Sequence, residues 1–340
     1  MRIAAVVMER LISGIYRTWI PMQALAYRGH SVHVEERNVI ENPQPLFDAD
    51  VVHFCRSCFG PMERLARALK EAGVAIVWDN DEDFLEVPKG SPGYVDVRGM
   101  HGQRIWSSLK SMMRIADVVT TPSETLAERY RAASGADVRV LENYLPPTFT
   151  RPDRAPVRTD IAVGWHALLD HERDFERLRL REAFENLLRR HHTLRVVGIG
   201  VDLGLNSHRY ERCEGGVLYA GLPEQLLRLD VGIAPLADTP YNRARSNVKL
   251  KEYAAMGVPW LASPVGPYAS MGEDQGGHLV GDDRWYEEID RLVLESDERS
   301  VLARRARRWA AGERIEDHID QWERTFEDAI ERARPRGVVR

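Results

Sequence analysis

Lysine is nearly absent from this sequence. Only five of 340 residues are lysine, at positions 70, 89, 110, 249 and 251, against 42 arginines. The bias fits genome composition, and it makes Lys249 and Lys251, two residues apart, worth noting. Cysteine is rarer still: the three residues, Cys55, Cys58 and Cys213, are too few and too odd in number for a disulfide framework. Cys55-Arg-Ser-Cys58 has the spacing of a redox motif, but no other thioredoxin-like feature accompanies it. Long apolar runs are missing too. The uncharged stretch 256–272 contains Pro259, Pro264 and Pro267, which a membrane-spanning helix does not accommodate. After the apolar residues 3–7, charge returns at Glu9 and Arg10 before an export signal could form, so the expected location is cytoplasmic. Nor is there an excess of basic charge. With 47 basic and 52 acidic residues the net charge is −5, which excludes a protein whose main task is to coat nucleic acid and confines any polyanion site to a local patch.

What is present is an ordinary globular balance, 44% hydrophobic and 29% charged, over a length that suits about two domains. Short apolar runs alternate with amphipathic stretches. Strands are expected at 2–8, 31–35, 50–54, 74–78, 117–121 and 138–142, with helices at 15–28, 61–72, 102–115 and 123–134. Several of these runs are too uniformly apolar to have a wet face, and the alternation of strand and helix implies a parallel sheet covered on both sides. Pro146, Pro147, Pro152 and Pro156 then mark an exposed connection. A second series follows: strands at 160–165, 194–199, 216–219, 231–235 and 260–263, helices at 172–190, 224–227 and 247–256, and helix-rich sequence from 285 to about 334. The expected division is a first Rossmann-like domain over 1–150, a second over 157–312, and a final helix over 313–336 that could pack back on the first. Such α/β domains bind ligands at the carboxyl ends of their strands.

The segment from Ile233 to Pro259 carries the most chemistry. A strand runs into a polar loop with Asp238 and Asn242, and Ser246 or Asn247 can cap a helix that Gly257 and Pro259 end. Free N–H groups at that helix start, flanked by Arg245 and Lys249, suit a diphosphate. Lys249 and Glu252 lie three apart on one face, so Glu252 could meet ribose hydroxyls one turn on. The same spacing also fits a plain surface Lys-Glu pair.

This segment resembles the donor-binding stretch of GT-B glycosyltransferases, in particular the large retaining group called family 4. There a Glu-Ala-Met-Ala-x-Gly-x-Pro-like sequence closes a Glu-x7-Glu motif, and Glu252-Tyr-Ala-Ala-Met-Gly257-Val-Pro259 is similar to that closing half. Ile161-Ala-Val-Gly164-Trp with His171-Glu-Arg-Asp174-Phe, Leu194-Arg-Val-Val-Gly198-Ile-Gly200, Asp117-Val-Val-Thr-Thr-Pro-Ser123-Glu and Val138-Arg-Val-Leu-Glu-Asn143 fall in the same order as in that family. The resemblance covers nearly the whole chain. It implies two doubly wound Rossmann-like domains facing each other across a cleft, and a sugar moved from a nucleoside diphosphate (UDP or GDP) to an acceptor, with retention. No metal or further cofactor is implied. Gly164, His166 and Gly198 would join Asp238, Asn242, Arg245, Ser246, Asn247, Lys249 and Glu252 on the donor side. The first glutamate of the motif is replaced by Ala244, so that its sugar contact is either missing or supplied by Asp238 or Asn242, and His166, His171 and Arg173 stand where the family carries Arg and Lys. A nucleotide-sugar epimerase or hydrolase of the same fold, or a nucleotide-binding scaffold with weakened catalysis, remain the alternatives.

In the first half, Asp79-Asn-Asp81-Glu-Asp83 follows a strand. Carboxylates at a strand's carboxyl end can meet a sugar, and in related sequences this end lies beside the donor sugar, so Asp79 and Asp81 are the catalytic candidates. A solvated acidic turn is the other reading. Gly14 could admit a ligand close to the backbone, with Arg17 and Arg56 as further cleft or acceptor residues. His191-His192 and His171-Glu172 lack the remaining ligands of a zinc site.

Overall fold

The computed structural model describes residues 1–8, 12–36, 40–58, 60–89, 91, 94–151, 159–167, 171–213 and 221–334. The chain divides into two compact units. The first comprises Met1–Tyr144, Ala244–Ser246 and Ile315–Arg340; the second comprises Leu145–Arg243 and Asn247–Arg314.

The first unit is built on β1 (Arg2–Val7), β2 (Ser31–Glu35), β3 (Val51–Cys55), β4 (Ala75–Asp79), β5 (Val118–Thr121) and β6 (Val138–Val140). All six pair in parallel in the order β2-β1-β3-β4-β5-β6. β3 and β4, Val-Val-His-Phe-Cys and Ala-Ile-Val-Trp-Asp, are buried at every residue, which requires cover on both faces. The helix Ile315–Ala333 supplies part of that cover. Its buried residues Ile315, Ile319, Trp322, Phe326 and Ala329 recur on one side, and it packs against β4 and the helix Ile20–Tyr27.

Where a single helix is expected over 15–28, the chain first forms a π-turn over Ile15–Trp19, with Ile20 N–H donating to Ile15 O, and only then the α-helix Ile20–Tyr27. The wider turn sends Tyr16, Arg17 and Thr18 inward. Ser123 accepts from Leu126 N–H and starts the helix Glu124–Ser134 as its residue type predicts.

The second unit repeats the plan with β7 (Ile161–His166), β8 (Leu194–Ile199), β9 (Tyr210–Cys213), β10 (Val231–Ala234), β11 (Trp260–Ala262) and β12 (Gly277–Leu279), all parallel in the order β12-β11-β10-β7-β8-β9. The expected strand at 216–219 and part of the proline-rich connection lie outside the described residues. The helix expected over 172–190 is two helices, Glu172–Arg177 and Leu180–Arg190, separated at Arg179, whose φ is +54°. Gly257, with φ +64°, ends the helix Val248–Ala255, and a Cβ there would stand 2.6 Å from an Arg151 nitrogen.

Among the described residues no helix is long and apolar enough to cross a membrane. The buried thiols do not suit redox chemistry: burial pushes Cys58 up to about 11 and Cys55 higher still.

Candidate functional site

In each unit the strand order reverses beside the unit's first strand, between β1 and β3 and between β7 and β10, and such switch points are where open α/β sheets take ligands, outside the carboxyl ends. His166 is the last residue of β7, at the switch point of the second unit. Its backbone N–H donates to the Tyr253 hydroxyl (3.0 Å), which itself donates to Ile233 O of β10 (3.0 Å). Tyr253 thus ties the two strand ends together and fixes the helix Val248–Ala255 beside them. That helix brings up Lys249, whose ammonium donates to His166 O, and Glu252, whose Oε2 lies 3.7 Å from His166 Nδ1. Burial lowers the His166 pKa, Lys249 adds to the shift, and Glu252 opposes it without cancelling it. Helix periodicity does place Lys249 and Glu252 on one face; their meeting with His166 could be seen only in three dimensions.

Asn247 occupies the start of this helix, but its side chain makes no capping bond, which corrects the expectation of a side-chain cap. Arg245 and Ser246 group with the first unit, where Asn143 donates to Ser246 Oγ (3.2 Å). Ala244 is 2% exposed in the core of that unit, and its carbonyl accepts from Ser123 Oγ (2.7 Å). A glutamate would not fit that position.

The loop after β10 is organised by Asp174, which stood out only through the family resemblance. Its Oδ1 accepts from Ala237 N–H (3.1 Å) and Asn242 Nδ2 (2.9 Å), and its Oδ2 lies 3.3 Å from His171 Nδ1. Asn242 also donates to Ala237 O (2.9 Å) and is buried, so its amide group fastens the loop. Asp238 is turned to solvent in a two-point bridge with Arg243 (2.6 and 2.7 Å). Gly164 and Gly198 are glycine for packing: a Cβ would stand 2.4 Å from a Leu229 methyl carbon at the first and 2.6 Å from Val201 O at the second.

In the first unit the two ends of the acidic run, Asp79 and Asp83, are buried. Asp79 and Arg17 are both fully buried. Arg17 donates through Nε (3.0 Å) and Nη2 (2.6 Å) to the carboxylate, and Thr120 adds a third donor (2.6 Å). Arg17 Nη1 binds Leu141 O and Asn143 Oδ1 (2.9 Å), and its guanidinium lies 5.2 Å from the Trp322 ring centre. Burial opposes the charge on Arg17, and Asp79 more than restores it. The expectations that Asp79 meets a substrate and that Arg17 faces a cleft are therefore corrected: each saturates the other inside the core. Asp83 is likewise buried on Arg129. Gly14 has an ordinary helical φ of −61° and is buried.

Asp81 and Glu82 remain half-buried, both facing Arg56, which pairs with Glu82 and lies 3.8 Å from Asp81 Oδ1. Arg56, which follows the end of β3, also donates to Ser13 Oγ (3.1 Å) of the helical turn Ile12–Gly14. Its φ of +58° is strained for a side chain of this kind, a feature that concentrates at functional sites.

His53, on β3, is fully buried against Trp322 and Phe326 and donates through Nε2 to Arg17 O (3.0 Å). Burial pushes its pKa down to about 4, with Arg17 adding to the shift and Asp79 opposing it. The unfolded chain thus takes up a proton between pH 6.5 and 4 that the folded chain refuses, and stability falls as pH falls through that window, by about 3 kcal/mol at its lower end. Unfolding midpoints measured across it are expected to fall less steeply for His53→Gln than for the wild type; parallel curves would show that His53 is not held neutral.

Among the described residues no group of histidine, cysteine, aspartate and glutamate is arranged to hold a metal ion.

No protein-family model and no curated protein matches the sequence. Solved structures do match. The HepE protein of Anabaena, in complex with UDP and glucose, superposes with a TM-score of 0.67 at 14% identity, covering 96% of this chain and 98% of that one. Sucrose-phosphate synthase from Thermosynechococcus elongatus gives 0.68 at 14% identity, covering 97% and 99%. A glycosyltransferase from Rickettsia africae gives 0.68 at 13%, covering 97% and 98%. The chain therefore has the GT-B glycosyltransferase fold, with two doubly wound units of six parallel strands each.

Proposed function

We propose that the protein is a glycosyltransferase that takes a sugar from a nucleoside diphosphate donor, UDP- or GDP-linked, and passes it to an acceptor with retention at the sugar carbon. The observation that carries this reading is the convergence of His166, Lys249 and Glu252 at the switch point of the second unit. Lys249 and the N-terminus of its helix supply positive charge for a diphosphate, the Asn247 side chain at the helix start adds neutral donors, and Glu252 supplies an acceptor for ribose hydroxyls. Retention rests on the likeness of the Glu252 to Pro259 segment to the retaining family. In the transfer the bond from the sugar carbon to the diphosphate breaks, one to the acceptor oxygen forms, and the acceptor's proton passes to the departing diphosphate oxygen or to solvent. Much of the acceleration then comes from alignment and from stabilising the departing diphosphate, for which a helix N-terminus and fixed cations suffice.

Asp81 and Arg56 are the groups of the first unit proposed to act on the transferred sugar or its acceptor. Groups that touch only the reacting sugar matter more for turnover than for nucleotide affinity. Asp81→Asn is expected to lower kcat about tenfold or more while UDP affinity stays unchanged; full activity would remove Asp81 from the reaction. The reading as a whole is tested by incubating the protein with UDP- and GDP-sugars and an acceptor panel and following release of the nucleoside diphosphate. Tight nucleotide binding with no turnover on any acceptor would instead support a scaffold with weakened catalysis, the reading that Ala244 favours.

A further inference from the structure

The chain is acidic overall, yet one face of the first unit is strongly basic. The helices Gly60–Glu71 and Gly99–Ile115 pack side by side, and between them lies a groove of about 640 Å³. Arg67, Lys70, Lys110 and Arg114 line it, with Ser107 and Ser111 between them and Glu71 as its one acid. The 17-residue helix Gly99–Ile115 contains no acidic residue, although the whole sequence holds 52. Exposed Arg64 and Arg104 extend the same two helix faces. Two of the five lysines of the protein are in this groove.

Local structural duties account for only part of this charge. Lys70 is held by Ile115 O and Asp117, and Arg67 by Glu63 and Ser111. Lys70 and Arg114 also stand in the last turns of their helices, where a cation offsets the negative dipole end. Lys110 lies a turn earlier, beside the Trp106 ring (5.8 Å), and neither it nor Arg114 has a carboxylate partner among the described residues. Lys110 and Arg114 thus leave positive charge on this face that no carboxylate among the described residues balances, and such charge attracts anions.

The geometry points to a binding site in this groove for a ligand that carries phosphate groups. Four cations around one cavity suit more than a single negative charge, guanidinium forks match phosphate oxygens, and the Ser107 hydroxyl adds a neutral donor, that of Ser111 being given to Glu63 (2.7 Å). The volume lies within the range of small-molecule sites. None of these residues takes part in the nucleotide reading above, and the inference does not depend on it.

The test uses inorganic pyrophosphate and the full-length protein. Calorimetric titrations at low salt would compare the wild type with K110E/R114E in the groove and with R304E/R308E, an equal charge change on exposed positions of the helix Ser296–Ala311 in the other unit. Any pyrophosphate bound elsewhere cancels between the two variants. The groove predicts at least tenfold weaker binding for K110E/R114E than for R304E/R308E. Sedimentation with phosphatidylglycerol vesicles, against phosphatidylcholine vesicles, separates a lipid headgroup from a free phosphate compound. Groove-dependent binding of pyrophosphate assigns a soluble ligand, and groove-dependent retention on phosphatidylglycerol alone assigns a headgroup. If both variants behave alike with both probes, the site does not exist.

Discussion

Replacing Asp79 by asparagine is expected to destabilise the first unit by about 3–5 kcal/mol, because the Arg17 charge would stay buried without its counter-charge. Of the predictions made for this protein it has the largest effect on stability. The pair is fully enclosed, Thr120 and the end of the sheet share in it, and no water can replace the missing oxygen charge. For a unit of this size that loss corresponds to a fall of about 10 °C in its transition. Scanning calorimetry is the suitable measurement, since two units need not unfold in one step. Exchanging both partners at once, Arg17→Met with Asp79→Leu, should recover much of the loss, as apolar replacements of buried pairs commonly do. An unshifted transition for Asp79→Asn would mean that the carboxylate is not committed to the core, and would return it to the catalytic candidates.

Lys249→Ala is expected to weaken UDP or GDP binding by about 1.5–3 kcal/mol, roughly 10- to 150-fold, the scale of a hydrogen bond to a charged group. Lys249 is held at the end of β7 by His166 O, so its ammonium is positioned before any ligand arrives and little ordering cost remains. Glu252→Gln keeps a hydrogen-bonding oxygen at the ribose and should cost less than Glu252→Ala. Calorimetry on the three variants decides the matter. Unchanged affinity for Lys249→Ala would remove it from the site, and wild-type affinity for both Glu252 variants would leave only a structural pair on a helix.

The sheets were legible because their central strands are mostly apolar, broken only by His53 and the terminal Asp79, a pattern that follows from burial on both faces. β9 escaped notice because it is an edge strand with one neighbour, and Tyr-Glu-Arg-Cys carries two charges that an edge tolerates. The break at Arg179 has no glycine or proline to announce it. In the site, Lys249 and Glu252 could be paired by helix spacing alone, whereas Arg17 and Asp79 stand 62 positions apart and meet only through the sheet. A carboxylate at a strand end looks the same in sequence whether it faces water or an arginine. Asp174 shows the converse, a buried group whose partners come from a loop more than 60 residues later.

The helix Ile315–Ala333 belongs to the unit that contains the amino terminus, and this bears on how the protein is made. Residues 1–144 leave the ribosome before residues 145–314, yet the surface of β4 and the Arg17 guanidinium lack Trp322 and Phe326 until those residues too have been made. The unit translated first is thus the last to be finished, while nearly all of the second unit is available earlier. A chain shortened before Ile315 would leave that face uncovered and open to aggregation.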